Sequence, residues 1–318
     1  MREAEGVRFP AGYRIGHATD RRSRTGCTVI LPPAGTIAAA EIRGGAPGTR
    51  ETGVFTPGNL VNEIHALVFA GGSAFGLATA DGVAQWLRER GVGFAVGAER
   101  VPIVAAAVLF DLAVGKPRHP DPEMGRQACR AAREGPIETG AVGAGAGATV
   151  GKLFGVARAA RGGVGSSVVR LPSDDVVAAI VVANPFGDVV DPQSRRILAG
   201  PSSRGGRRLR TARSLERDDL AESPLGGAAT TLVCVVTTVP FESGSLKRVA
   251  IEAHDGIARA IRPAHTVVDG DTVFALAPPG PAPPVLLRLR VGAAAAEAVA
   301  RAIVDSVRKR RGLARKRR

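Results

Sequence analysis

Hydrophobic residues along this chain fall into two kinds of run. The first are short, continuous and rich in β-branched residues: 27–31, 37–42, 64–70, 102–112, 164–170, 176–183 and 232–236. Such runs predict strands buried on both faces, since a strand with one wet face alternates polar and apolar positions. Another strand is predicted over 267–276, with Asp269 and Asp271 embedded at its start. The second kind of run repeats at the helical period. Leu77, Ala80, Val83, Ala84 and Leu87 predict a helix over 77–90 that Gly91 stops. Leu246, Val249, Ala250, Ala253, Ile257 and Ile261 line one face of a helix over 245–261. Helices are also predicted near 123–133 and 293–309, and Pro172-Ser173-Asp174-Asp175 joins two strands as a hairpin.

Two stretches break the pattern. Residues 193–227 are rich in arginine, glycine and serine and have little apolar period, which predicts an exposed linker. The linker ends at Gly226-Gly227, and the apolar strand that follows opens on two hydroxyl residues, Thr230-Thr231. Residues 308–318 hold eight positive charges and predict a disordered basic tail.

Composition narrows the class. Only 12 of the 318 residues are Phe, Trp or Tyr, so the core is built from Val, Ala, Leu and Ile, with glycine allowing close backbone approach. No apolar run reaches the roughly 18 residues of a membrane span, and no signal-peptide apolar region opens the chain, so no membrane partner is expected. Cys27, Cys129 and Cys234 are odd in number, far apart and without a CxxC pair. That argues against a disulfide framework or a zinc site and fits a cytoplasmic protein. The net charge of +14 falls to +6 without the tail. Nucleic acid would have to be held by that tail through phosphate contacts, and the aromatic platforms of single-strand binding are missing, so it is not the expected partner.

Candidate chemistry is scattered along the chain. A threonine freed as a new N-terminus carries a nucleophile and its own base, an α-amine with a pKa of ~8. Thr230, at the mouth of a buried strand after a flexible approach, is placed for that role, or simply begins a strand. Lys152 ends the glycine-rich run that starts at Gly143. The run is not a phosphate-binding loop, because Ala146 stands where the first glycine is needed and Leu153 where the hydroxyl is needed. Lys152 is then a surface lysine on a turn, or a buried ammonium that requires a partner. Asn184 closes a strand before Pro185, making a local turn or presenting an amide to a developing oxyanion. Asp269 and Asp271, two residues apart, point the same way on a strand and repel unless a cation lies between them, or they form a turn. Gly71-Gly72-Ser73-Ala74-Phe75-Gly76, between a strand and a helix, is not the GxGxxG of a dinucleotide site.

Taken together these segments resemble one family over nearly the whole chain, the self-processing L-aminopeptidase/D-esterase/amidases that include the nylon-oligomer hydrolases. The resemblance is carried by Gly16-His17-Ala18-Thr19-Asp20, Arg43-Gly44-Gly45-Ala46-Pro47-Gly48-Thr49-Arg50-Glu51 and Gly71-Gly72-Ser73-Ala74-Phe75-Gly76-Leu77. It continues through Gly147-Ala148-Thr149-Val150-Gly151-Lys152, Gly187-Asp188-Val189-Val190-Asp191-Pro192 and Ala229-Thr230-Thr231-Leu232. It closes with His254-Asp255-Gly256-Ile257-Ala258-Arg259, His265-Thr266 and Asp269-Gly270-Asp271-Thr272-Val273-Phe274-Ala275-Leu276.

The resemblance implies that a precursor is cut between Ala229 and Thr230 into chains of 229 and 89 residues, with Thr230 as nucleophile. It further implies that Lys152, Asn184, Asp269 and Asp271 complete the site. The implied fold is α+β, a four-layer αββα sandwich of the N-terminal-nucleophile-hydrolase kind, as one catalytic domain in a homo-oligomer. No cofactor and no metal are implied. The implied substrates are small amides, esters or short peptides. The threonine-type relatives usually carry Asn before the cut, where this chain has Ala229. The alternative class is a non-processing homologue that binds a small amide or peptide, or that serves as an oligomeric scaffold.

Overall fold

The continuous apolar runs pair into two five-stranded sheets. In chain order the strands are β1 (Arg14–Asp20), β2 (Thr25–Leu31), β3 (Ile37–Ile42), β4 (Thr49–Arg50), β5 (Ala66–Ala70), β6 (Val104–Val108), β7 (Gly163–Arg170), β8 (Val176–Asn184), β9 (Thr230–Thr237) and β10 (Thr272–Ala277). The first sheet has the order β1-β2-β5-β6-β4 and the second β7-β8-β9-β10-β3. This computed structural model describes residues 7–217 and 229–308. Four helices cover the sheets: α1 (Thr79–Arg88), α2 (Pro122–Ala131), α3 (Ser243–Ala260) and α4 (Val285–Ser306).

Alternation along each strand sorts its side chains between two cores. In β5, Leu67 and Phe69 face the other sheet, whereas Ala66, Val68 and Ala70 face α1 and α2. In β9, Leu232, Cys234 and Val236 enter the space between the sheets, and Val233 and Val235 meet α3 and α4. The result is three apolar interlayers, one between the sheets and one under each helix pair, which makes the four-layer αββα sandwich that the resemblance implied. A Phe69–Phe274 ring contact at 6.3 Å crosses the central interlayer.

Glycines set the spacing between the layers. A Cβ on Gly16 of β1 would lie 2.0 Å from the Ala128 carbonyl of α2, and one on Gly165 of β7 would lie 2.0 Å from the Ala302 carbonyl of α4. The helices pair in the same way: Gly82 of α1 lies against the Pro122 carbonyl, and Gly256 of α3 against the Ala296 carbonyl. With few aromatics to fill space, the layers come close enough for Val, Ala and Leu to pack.

Several expectations change. The strand expected over 102–112 spans only Val104–Val108, because Leu109 N–H still pairs with Ala70 but the chain then turns at Asp111. The acidic start of the run 267–276 lies outside the strand, which begins at Thr272. The last helix begins at Val285 rather than near residue 293. Its first turns leave Val285, Leu286 and Leu289 exposed, so no apolar stripe marked them. The stretch expected as an exposed linker, 193–227, is built into the fold over its described part. Ile197–Ala199 forms a strand paired with Val189 and Val190, and buried Thr211 donates to the Asp188 carboxylate through its N–H (2.8 Å) and its hydroxyl (2.5 Å). One buried carboxylate fixes a segment whose composition reads as loop. Residues 218–227 of that linker, and residues 309–318 of the tail, lie outside the described residues.

If strand glycines set the helix-to-sheet distance, Gly165→Ala forces β7 away from α4. The expected cost is about 1–3 kcal/mol, as for an overpacked core. Urea unfolding would read this as a lower midpoint with an unchanged slope. An unchanged midpoint would mean that the spacing is set elsewhere.

Candidate active site

The strand register brings the scattered residues together. Across the antiparallel β8–β9 pair, Asn184 stands directly opposite Thr230. Both lie in the alternating series that faces the other sheet, Ala178-Ile180-Val182 on β8 and Leu232-Cys234-Val236 on β9. Their side chains therefore share one face at the mouth of the sandwich. A slip of one residue would send Thr230 to the helix side.

On the other flank of β9, residue 229 continues the parallel pairing beside Asp269. The segment 266–271 is pinned by the glycine-rich loop after β3. Arg43 N–H and Gly44 N–H donate to the Asp271 carbonyl, Gly45 N–H to that of Thr266, and Ala46 N–H to that of Asp269 at 2.8 Å. A Cβ on Gly44 would lie 2.2 Å from the Asp269 carbonyl, so only glycine allows this approach. The loop that starts at Arg43 is thus a backbone clamp on the acidic segment.

Each acid accepts from at least two donors. Asp269 accepts from Phe186 N–H at 3.1 Å, from Thr266 N–H at 3.0 Å and from the Thr266 hydroxyl at 2.5 Å. Asp271 accepts from Thr231 N–H at 2.7 Å and from His265 N–H at 3.1 Å, and its Oδ2 lies 2.8 Å from His265 Nδ1. Burial raises the Asp269 pKa, and the neighbouring Asp271 charge adds to that rise. Between the acids, Gly270 N–H donates to the Ala229 carbonyl at 2.9 Å, and the Thr230 hydroxyl donates to the same oxygen. A Cβ on Gly270 would lie 2.8 Å from Thr230 Oγ1 and 2.7 Å from the Ala46 carbonyl. Thr230 is buried.

Lys152 is buried, not on a surface turn. Its Nζ donates to the carbonyls of Thr149 (2.9 Å), Asn184 (2.6 Å) and Pro185 (3.2 Å), three acceptors for three N–H bonds. Burial pulls its pKa down to about 7, against the upward pull of Asp269 and Asp271. Asn184 is fixed in turn: its Oδ1 accepts from Thr149 N–H at 2.9 Å and its Nδ2 donates to the Phe110 carbonyl at 3.3 Å.

Two quoted motifs act from behind. In Gly16-His17-Ala18-Thr19-Asp20, the Thr19 hydroxyl accepts from Gly143 N–H at 2.7 Å. His17 Nδ1 lies 2.9 Å from the Thr28 hydroxyl, which accepts from Ala144 N–H at 3.1 Å. Burial takes His17 down to about 4, so it is neutral at pH 7. Together they seat the glycine-rich run that delivers Thr149 and Lys152. In the glycine motif after β5, Gly72 N–H donates at 2.7 Å to buried Asp111, which neighbours the Phe110 carbonyl that holds Asn184.

Sequence reasoning did not single out Gly270, Thr149, Phe186 or His265 as site residues. The first three act through backbone N–H groups, which leave no side-chain signature. His265 sits at φ +55 beside Asp271, and its ring meets the His254 ring edge-on at 4.9 Å. Among the described residues no cluster of His, Cys, Asp and Glu has metal-site geometry.

Comparison with known proteins gives one consistent picture. The sequence signature of peptidase family S58 matches residues 11–316. The chain is 41% identical over 322 residues to an uncharacterized aminopeptidase of Mycobacterium tuberculosis, covering 93% of this chain and 91% of that one. It is 33% identical over 271 residues to the 6-aminohexanoate-oligomer endohydrolase of Paenarthrobacter ureafaciens, covering 84% of this chain and 73% of that one. Among solved structures it resembles a Burkholderia sp. beta-aminopeptidase (TM-score 0.70, 20% identity, 96% and 89% of the two chains). It also resembles the L-aminopeptidase D-Ala-esterase/amidase of Ochrobactrum anthropi, described as a variant of the Ntn hydrolase fold (TM-score 0.69, 18% identity, 95% and 87%).

The buried lysine makes a pH-dependent prediction. Unfolded, Lys152 keeps its proton up to about 10.5, and folded it releases it near about 7. Between these values the unfolded chain binds more protons, so this residue's contribution to stability rises with pH from about 7 to about 10.5. The unfolding free energy of wild type minus that of Lys152→Met, measured in urea at several pH values, should therefore grow from pH 7 to pH 10. A flat difference would mean that burial leaves the proton affinity of Lys152 unchanged.

Proposed function

The chain belongs to peptidase family S58, and from that premise we propose that it is a self-processing amide hydrolase whose nucleophile is Thr230, freed by cleavage of the Ala229–Thr230 bond. The observation that carries this reading is the Ala229 carbonyl, whose oxygen accepts from both the Thr230 hydroxyl and Gly270 N–H. In maturation, Thr230 Oγ1 attacks the Ala229 carbonyl carbon. Gly270 N–H then holds the negative charge that develops on the oxygen. Loss of one such donor costs roughly 3 kcal/mol in an oxyanion hole. Collapse breaks the C–N bond, the Thr230 nitrogen takes the hydroxyl proton, and water hydrolyses the ester that remains. The products are an Ala229 carboxylate and a Thr230 with a free amine and a free hydroxyl.

In turnover the same oxygen attacks the amide or ester carbonyl of a substrate. The α-amine accepts the hydroxyl proton and returns it to the leaving group, and water clears the acyl-enzyme. Lys152 provides positive charge near the developing oxyanion, and the carboxamide of Asn184, opposite Thr230, donates to it. Asp271 holds Thr231 N–H beside Thr230, Asp269 holds the backbone of Phe186 and Thr266, and neither reacts. Short peptides and linear amide oligomers are the substrate class, in keeping with the names of the relatives. No helix among the described residues is long and apolar enough to cross a membrane. The free, buried Cys27, Cys129 and Cys234 support a cytoplasmic setting, and the resemblance supports a homo-oligomer.

Intact mass under denaturing conditions tests the reading. Wild type should give two chains, the smaller beginning Thr-Thr-Leu-Val-Cys, whereas Thr230→Ala should stay whole and hydrolyse no amide. A wild-type chain that remains uncut after long incubation, or a Thr230→Ala protein that still turns over amides, would sink the proposal.

A further inference from the structure

Beside the scissile bond lies a fourth apolar cluster, separate from the three interlayers. Its buried members are Leu153, Phe186 and Ala229, with Phe154 and Val268 packed against them at partial exposure. Ala229 is therefore more than the residue before the cut. It is buried and shares one apolar cluster with side chains from three different segments.

Those segments are the ones that supply the site's chemistry. Leu153 and Phe154 directly follow Lys152, Phe186 lies two residues after Asn184, and Val268 immediately precedes Asp269. Hydrogen bonds of the site hold the walls in place. Lys152 N–H donates to the Phe186 carbonyl at 3.0 Å, and Phe186 N–H donates to the Asp269 carboxylate at 3.1 Å. The Arg158 guanidinium covers the Phe154 ring at 4.6 Å. A rigid apolar enclosure thus surrounds the residue whose carbonyl lies in the grip of Gly270 N–H and the Thr230 hydroxyl.

We propose that this enclosure is the acyl-side specificity pocket of the mature enzyme, with Leu153, Phe154, Phe186 and Val268 selecting substrates that present a small apolar side chain on the carbonyl side of the scissile bond. The inference rests on the self-processing reading and extends it. In the precursor, Ala229 is the acyl residue of the first bond broken, and it occupies the pocket with its carbonyl held by Gly270 N–H. Once the bond is cut, the Ala229 carboxylate is a product, and a substrate's acyl residue takes the same place against the same walls. A pocket closed around one methyl group disfavours a branched or aromatic side chain, because the walls are held by hydrogen bonds and fill their space.

Self-cleavage and turnover test the pocket separately. In the precursor, Ala229→Leu should slow maturation by tenfold or more, read by intact mass against time. Ala229→Leu with Phe186→Ala, and Ala229→Leu with Leu153→Ala, should each recover a large part of that loss. In the mature enzyme, kcat/KM should favour alanine p-nitroanilide over leucine p-nitroanilide, and Phe186→Ala or Leu153→Ala should move the ratio toward leucine by tenfold or more. Unslowed maturation of Ala229→Leu, or a substrate ratio unchanged in both wall variants, would overturn the pocket while leaving Thr230 as nucleophile. Failure of the wild-type precursor to mature would instead overturn the self-processing reading on which the pocket depends.

Discussion

A lysine ammonium survives in a protein interior only where all three of its N–H bonds meet acceptors. Lys152 meets that condition with the carbonyls of Thr149, Asn184 and Pro185, and the rest of the site follows from it. Satisfying the ammonium ties the glycine-rich segment to the end of β8. With Thr149 held there, its N–H fixes the carboxamide of Asn184. With Pro185 held, Phe186 N–H reaches Asp269, and the acidic segment is drawn against residue 229. One buried charge thus organises both flanks of the strand that begins at Thr230.

The scaffold around that strand is built twice. Each sheet carries an antiparallel hairpin, then a strand, a helix, a parallel neighbour and a second helix: β1-β2-β5-α1-β6-α2 in one half and β7-β8-β9-α3-β10-α4 in the other. Each edge is closed by an antiparallel strand from the β3–β4 region. The registers run in step, Gly16–Val29–Val68–Ala106 against Gly165–Val181–Val233–Val273. A Cβ on either opening glycine would lie 2.0 Å from a helix carbonyl. In this alignment His65 stands where Thr230 stands. In the first half that position is spent on structure, since His65 Nδ1 accepts from Ile103 N–H at 3.1 Å. In the second half the same mouth lies beside the clamp of residues 43–46 on 266–271.

Sheet membership was legible because both faces of these strands are buried. Continuous runs such as those on β8 and β9 have no soluble alternative. Helices α1 and α3 were legible from a stripe of apolar residues, whereas the start of α4 was not, since its exposed leucines break the stripe. Within the stretch 193–227, the strand Ile197–Ala199 and the Thr211 anchor left no signal in the sequence, since Thr211 is held by one distant carboxylate, Asp188, and not by the local composition. At the site, Thr230, Lys152, Asn184, Asp269 and Asp271 each stood out as a polar residue in apolar surroundings. What joins them is register, which places Asn184 opposite Thr230 and residue 229 beside Asp269, and register is written in no single residue. The donors that finish the arrangement, Gly270 and Phe186, act through backbone N–H groups common to every residue type but proline.

In the intact chain the polar groups around Thr230 are already held in hydrogen bonds. Both acids are spent on donors from Thr231, His265, Phe186 and Thr266, and the Lys152 donors are filled. Under the self-processing reading, cleavage at Ala229 adds two titrating groups, the Ala229 carboxylate and, at the nucleophile, the α-amine of Thr230. An amine of pKa ~8 born in a buried site has its charged form penalised by desolvation, which moves it toward the neutral base that proton abstraction requires. Before the cut, the Thr230 nitrogen is an amide and cannot serve as a base. Under the self-processing reading, the same bond cleavage that frees the hydroxyl also creates its base, and turnover then begins once Ala229 leaves its place to a substrate acyl group.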